Sequence, residues 1–375
     1  MKQHIPLEPI VNYLFDILKS SYSKSTSPTR EFLHRLFQLS AKERISYYIA
    51  SWLLEQRSDM IPADVRGKLK DYLQVNRTRN LLLRSHIVKL AQLFNDAEIP
   101  LLFLKGAAGL IRDIYPLECR YVSDIDALVD LHCEEKIRHL LYSAGYVPVC
   151  KRSSFQKHHH IEPYSHSQWT GWIEIHTNPY ELVTSKPPVM PHIWDDAERV
   201  SFHNELVVVP SITDHTWILM RTDLINKILL PRLSDTIEMF LIMKKGYSID
   251  FDLLALRAKH ENIPNIVQGM SYACSRYMGM NPFVAVDDSV LKKWEEWSFS
   301  LRRKAANKRI IYLLLRNYCA AMRYLPSRGM VPKIKFIWQI IYNNPQKNIQ
   351  LLISPGLGIR RRLRKIYMVF QRISF

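Results

Sequence analysis

Residues 124 to 129, Asp-Ile-Asp-Ala-Leu-Val, constrain the fold more than any other stretch, because acidic and apolar side chains alternate along them. A β-strand sends successive side chains to opposite faces, so Asp124, Asp126 and Leu128 share one face and Ile125, Ala127 and Val129 the other. The second face needs an apolar cover. The first begins with two carboxylates that repel each other, and burial raises the pKa of at least one of them unless a cation stands between. A divalent metal meets that need. Taken alone, D-x-D also fits a solvated strand end in which Asp124 caps a turn after Ser123.

The flanks of this strand change period twice. Up to about residue 98, stretches such as "ISYYIASWLLEQ" and "LLLRSHIVKLAQLFNDA" repeat apolar residues every three or four positions without Gly or Pro, as helices do. "LLFLKG" (101–106) is a short apolar run ended by Gly106, a buried strand, and "AAGLIRDIY" a short helix stopped by Pro116. After "DIDALV" come a helix over "CEEKIRHLLYSAG" with Gly145 as its stop, a strand at "YVPVCKR", and alternating segments around "HHHIEPY" and "WIEIHT". Helical patterning returns from about residue 211. The expected organisation is a helical region over 1–85, an α/β core over 86–210, a helical domain over 211–300 and a basic, mostly helical tail over 301–375.

Charge follows the same division. Of the 52 Lys and Arg residues, 17 lie in 301–375, which contains no Asp or Glu; the first 300 residues balance 35 basic against 35 acidic. The tail therefore carries the whole net charge of +17 and suits an anionic partner, either phospholipid headgroups or nucleic acid. Its end, "IRRRLRKIYMVFQRISF", mixes cations with apolar residues as a membrane-surface helix does; a basic helix packed on the protein body is the alternative. The opening "MKQHIPLEPIVNYLFDILKS" interrupts its apolar residues with Glu8 and Asp16, unlike a secretory signal or a membrane span, and the five cysteines form no C-x-x-C pair. The expected location is cytoplasmic, with the tail able to hold the protein at the inner face of the membrane.

"WIEIHT" supplies a third acid. On a strand, Glu174 and His176 share a face opposite Ile173 and Ile175, the same split as at Asp124 and Asp126. Two strands of one sheet can thus place three carboxylates around one point. Upstream, Lys105 and Gly106 stand where a strand passes into a helix: Gly allows close backbone approach, a helix N-terminus favours anions, and Lys105 adds charge. Triple carboxylate, cation and phosphate cradle together suit transfer of a nucleotidyl group.

The order "LLFLKGAA", "IYPLECRYVSDIDALV", "WIEIH" resembles a bacterial nucleotidyltransferase-like family of the polymerase-β-type superfamily, whose members read roughly L-K-G, Y-P, R-x-x-S/D-D-I-D-L-L-V and E-x-H-W. The likeness is densest over residues 80–180. It implies an α+β fold, a small mixed-sheet core flanked by N-terminal and C-terminal helical regions. Asp124, Asp126 and Glu174 are then the catalytic acids and metal ligands, for Mg²⁺ or Mn²⁺. Lys105, Gly106, Arg120, His160 and His176 would line the nucleotide site. The substrate is an NTP, with ATP the expected donor, although no residue pattern reads the base. Two features depart from the superfamily or the family: Ala107 follows Gly106 where the superfamily has Ser, and Thr177 follows His176 where Trp is common.

Each of these residues has a plainer reading. Arg120, four residues before Asp124, can reach phosphate or form a structural ion pair; Trp169 and Trp172 can stack on a base or fill core; His158 and His159 fit a surface, and no Cys or acid stands at zinc spacing beside them. The acceptor is open: a sugar, a metabolite, a protein side chain or, without any recognisable RNA-binding motif, a nucleic-acid end. A catalytically silent relative, using the pocket and tail for binding or scaffolding at a membrane, is the alternative from another class.

Overall fold

The computed structural model describes residues 28–42, 44–149, 161–179, 192–221, 231–261 and 265–286. The chain divides into two compact units, Met1–Ser298 and Phe299–Phe375, and every described residue belongs to the first. His158, His159, His160 and the basic tail lie outside the described residues.

Among the described residues, three α-helices precede the sheet: α1 (Arg30–Lys42), α2 (Ser46–Gln56) and α3 (Ala63–Asp96). With no proline inside its 34 residues, α3 runs unbroken across residue 85, where the core was expected to begin. It ends in a Schellman turn: Ile99 donates its amide to the Phe94 carbonyl and Glu98 to Asn95, with Glu98 in the left-handed region at φ 53°. The strands are β1 (Leu102–Phe103), β2 (Asp124–Leu128), β3 (Val147–Pro148), β4 (Tyr164–Ser165), β5 (Trp172–His176), β6 (Glu198–Phe202) and β7 (Glu205–Val209). Between them, α4 (Lys105–Ile111) follows β1 and α5 (Glu134–Ser143) follows β2; α6 (Ile212–Arg221), α7 (Leu233–Lys244), α8 (Phe251–His260) and α9 (Asn265–Met278) follow the sheet. Gly145 stops α5 at φ 86°, a conformation open to glycine. No helix among the described residues is long and apolar enough to cross a membrane.

The seven strands form one mixed sheet in the order β3-β4-β5-β2-β1-β7-β6. β2 and β5 run parallel at its centre, β1 lies antiparallel to β2, and β7 parallel to β1. This is an α+β fold with helices before and after the sheet. The β6–β7 hairpin was not foreseen: its two-residue turn, His203-Asn204, has both residues at positive φ, 49° and 67°, as a type I′ turn requires. The signal available in the sequence was Asn204 between two runs able to pair.

The apolar face of β2 and β5 is covered as its pattern demands. Ile125, Ala127, Ile173 and Ile175 join Leu83, Ile87, Leu90 and Phe94 of α3 and Ile137 and Leu141 of α5 in one buried cluster. Each such side chain contributes about 1.5–3 kcal/mol when fully buried. That cluster makes α3 part of the core.

At its edge, His86 of α3 is fully buried, stacks on Trp169 and meets the Tyr146 hydroxyl at 2.9 Å from Nε2. Trp169 is thus a packing residue here. Burial drives the His86 pKa from 6.5 down to about 4, against a hydrogen bond to the Thr170 backbone that raises it. A histidine depressed in the folded state binds its proton more readily when unfolded. Its contribution is therefore complete above pH 6.5 and is lost as pH falls toward 4, by up to roughly 3 kcal/mol. His86→Gln, which keeps a partner for Tyr146 and does not titrate, is expected to flatten the pH dependence of the urea midpoint between pH 7.5 and 4.5. An unchanged pH slope in the variant contradicts this assignment.

Candidate active site

The register of β2 against β5 brings the acids together. Asp126 lies directly opposite Glu174, Asp124 opposite Trp172 and Leu128 opposite His176, so the acidic face of one strand continues into that of the other. Asp126, Glu174 and His176 each offer a ligand atom, all within 4.8 Å of one another. His176 is fully buried, and its Nε2 meets Asp126 Oδ1 at 2.7 Å and Glu174 Oε2 at 4.0 Å. The sequence pattern groups Asp124 with the other two acids; in the structure the tightest group has His176 in that place. Asp124 stands two residues back along β2 on the same face, where its Oδ1 accepts a hydrogen bond from Ser123 Oγ at 2.8 Å.

Lys105 completes the group from the opposite side of β2. The Leu104 amide bonds the Asp126 carbonyl, extending the β1–β2 pairing by one residue, and α4 then begins at Lys105 with φ 49°. This left-handed start, costly for a residue with a Cβ, aims the ammonium at Asp126 Oδ1, 2.6 Å away. Electrostatics follows from the geometry. Burial pushes Asp126 upward, but Lys105 and His176 outweigh it and hold the carboxyl well below the usual range. Asp124 moves the other way, raised by burial and then by the Asp126 charge. Burial opposes the charge on Lys105, yet Asp126, with Glu174 and Asp124, raises its pKa overall.

Gly106 has a reason to be glycine that the sequence did not reveal. A Cβ placed there meets Val122 Cγ1 at 2.9 Å, so α4 packs on the segment leading into β2, and the close approach is to protein. Gly106→Val is therefore expected to cost about 1–3 kcal/mol of stability through overpacking and to shift Val122, two residues before Asp124. Thermal unfolding of G106V alone and with Val122→Ala tests this; the clash is not the cause if the second change recovers nothing.

Arg120 is half-buried and its Nη2 pairs with Glu238 of α7 at 3.2 Å, while His215 Nε2 of α6 meets the other Glu238 oxygen at 3.1 Å. The ion pair considered as its plainer role is thus present. Arg120 also lines a cleft of about 100 Å³ that it shares with Lys105, Gly106, Asp124 and Asp126. Glu174 and His176 are not among the lining residues; they stand on the β5 side of Asp126.

The loop that carries Arg120 is held by side chains outside the recognised motifs. Asn80 Nδ2 donates to the Arg120 carbonyl at 2.7 Å, Asn76 Nδ2 to the Glu118 carbonyl at 2.8 Å, and Arg79 to the carbonyls of Val122 and Ser123 at 3.0 and 2.9 Å. Asn76 and Asn80 are fully buried on one side of α3. Their sequence signal was faint: two asparagines, poor helix formers, four apart in an otherwise helical run.

Sheet order, parallel acid strands and the lysine-capped cleft define a nucleotidyltransferase-type core. A family model described as "Uncharacterised nucleotidyltransferase" matches residues 32–279, and the chain belongs to that family. No curated protein matches the chain.

Proposed function

We propose that this nucleotidyltransferase is metal-dependent and moves NMP from an NTP, ATP foremost, to an acceptor hydroxyl or phosphate. The observation that supports this best is the register that sets Asp126 beside Glu174, with Asp124 on the same face and Lys105 over Asp126. The donor set suits a divalent ion. Its carboxylate oxygens are the ligands Mg²⁺ and Mn²⁺ prefer, and the acid repulsion that raises Asp124 is what a cation relieves. Asp124, Asp126 and Glu174 would hold the metal, and His176 would orient Asp126 from below through its 2.7 Å contact. When bound, the metal supplies Lewis-acid stabilisation of charge on the transferred phosphoryl group.

The chain's own residues then have distinct tasks. Lys105 pairs with Asp126 at the cleft and would meet phosphate oxygens there. Arg120, fixed by Glu238 and the asparagines, presents a second positive charge at the same cleft. The acceptor remains the open choice among sugar, metabolite, protein side chain and nucleic-acid end.

Calorimetric titration with each NTP in the presence and absence of Mg²⁺ tests the reading, followed by transfer of label from α-labelled NTP to components of a cell extract. Lys105→Ala is expected to weaken Mg²⁺–NTP binding by about 1.5–3 kcal/mol, the range for a hydrogen bond to a charged group. Parental affinity in that variant places the nucleotide elsewhere. A second reading, a catalytically silent protein that uses the cleft for binding alone, is favoured by the two protein groups that engage Asp126 Oδ1, Lys105 and His176. Nucleotide binding that ignores Mg²⁺, with no label transferred, selects that second reading.

A further inference from the structure

Two arginines that no motif marks also line the cleft of Lys105 and Asp124: Arg44, from the turn between α1 and α2, and Arg232, at the N-cap of α7. With Lys105 and Arg120 they make four cations converging from four separate segments of the chain. We infer that Arg44 and Arg232 bind the polyphosphate of the nucleotide, so that the turn after α1 and the start of α7 grip the same ligand from the two helical regions. This rests on the nucleotidyltransferase reading and adds residues to it.

Three observations converge. The first is charge. Lys105 is turned onto Asp126 and Arg120 onto Glu238, while Arg44 and Arg232 line the same cleft together with Asp124 and Asp235. Four cations face four carboxylates in the lining, so a divalent cation on the acids would leave the arginines and Lys105 to a polyanion, and a triphosphate brings enough negative charge to engage several cations at once. The second is the backbone of Arg44. Ile45 donates its amide to the Ser40 carbonyl and Arg44 to Ala41, a Schellman turn with Arg44 at the left-handed position, φ 59°. Glycine takes that position without strain, so the fold alone gives no reason for arginine there. A guanidinium delivered to the cleft gives one. The third is placement: Arg232 has its backbone fixed by the start of α7, where the amides of Asp235 and Thr236 both bond its carbonyl. Its side chain thus leaves a rigid element and enters the cleft beside Asp235 and Glu238.

The chemistry recognised is a chain of phosphates, which inorganic tripolyphosphate supplies without a base or sugar. The experiment measures binding of Mg²⁺–tripolyphosphate and Mg²⁺–ATP to the full chain by calorimetry, for the parent and for Arg44→Gly, Arg44→Lys, Arg232→Gln and Arg77→Gln, with melting temperatures for all. Arg77, half exposed and paired with Glu118 outside the cleft, is the control for loss of one charge at a distance. R44G and R232Q are each expected to weaken tripolyphosphate at least about tenfold. R44K should recover part of that loss, R77Q should change it less than about twofold, and R44G should melt no lower than the parent.

If tripolyphosphate binds R44G and R232Q as it binds the parent, the inference fails while the proposed function stands. It also fails if R44G melts well below the parent and R44K does not restore affinity, because Arg44 is then a structural residue. If the parent binds neither ATP nor tripolyphosphate, the nucleotidyltransferase reading fails, and the inference with it.

Discussion

Asp126→Asn is expected to abolish NTP-dependent transfer, with a loss of about 4 kcal/mol or more in transition-state stabilisation, roughly a thousandfold in rate. The substitution removes the carboxylate on which the other site groups converge: Lys105 at 2.6 Å, His176 at 2.7 Å, and Glu174 as its direct cross-strand neighbour. It also has a structural cost that the sequence did not disclose. Asp126 keeps only 7% of its side chain exposed, and the amide leaves the Lys105 ammonium without its counter-charge. Breaking a fully buried pair costs about 3–5 kcal/mol. Here the loss should be about 2–3 kcal/mol, because Lys105 retains 22% exposure and Asp124 and Glu174 stand near. Activity is therefore to be measured at a temperature where circular dichroism shows the variant folded. Near-normal turnover by the Asp124→Asn/Asp126→Asn double variant ends the enzyme reading.

The second large effect concerns Glu238, 2% exposed, which joins Arg120 of the core to His215 of α6. Glu238→Ala is expected to cost about 2–3 kcal/mol of unfolding free energy, since it takes the carboxylate from a guanidinium that keeps 19% exposure and has Asp235 near. Removing both charges at once is a different matter: Arg120→Met with Glu238→Leu should recover most of that stability, because well-packed apolar residues replace a buried pair at little net cost. The double variant then separates the two roles of Arg120. Restored stability with weakened NTP binding assigns Arg120 to the nucleotide as well as to the fold; restored stability with parental binding leaves it a structural ion pair. If the double variant is no more stable than Glu238→Ala, the pair is not the source of the loss.

The local pattern was enough to place the acid strands. Alternation around Asp124, Asp126, Glu174 and His176 identifies a strand with one buried face, because a period of two has few other solutions, and the α+β arrangement of helices around a short strand region follows from changes of period. Gly145 as a helix stop is legible for the same reason: its backbone conformation is a local property. The β6–β7 hairpin was missed because its turn residues, His203 and Asn204, are weaker signals than Asn-Gly.

What only the tertiary structure decided are relations between segments far apart in the chain. Nothing local fixes Asp126 opposite Glu174, 48 residues away, since a one-residue slip in register would turn the acid away. Nor does anything local show that Lys105 rests on Asp126, that Gly106 makes room for Val122, or that Asn76, Arg79 and Asn80 hold the loop of Arg120. Arg44 and Arg232 are silent in the sequence for the same reason: a side chain's charge is a property of its residue, but the cleft it enters is made by the packing of others.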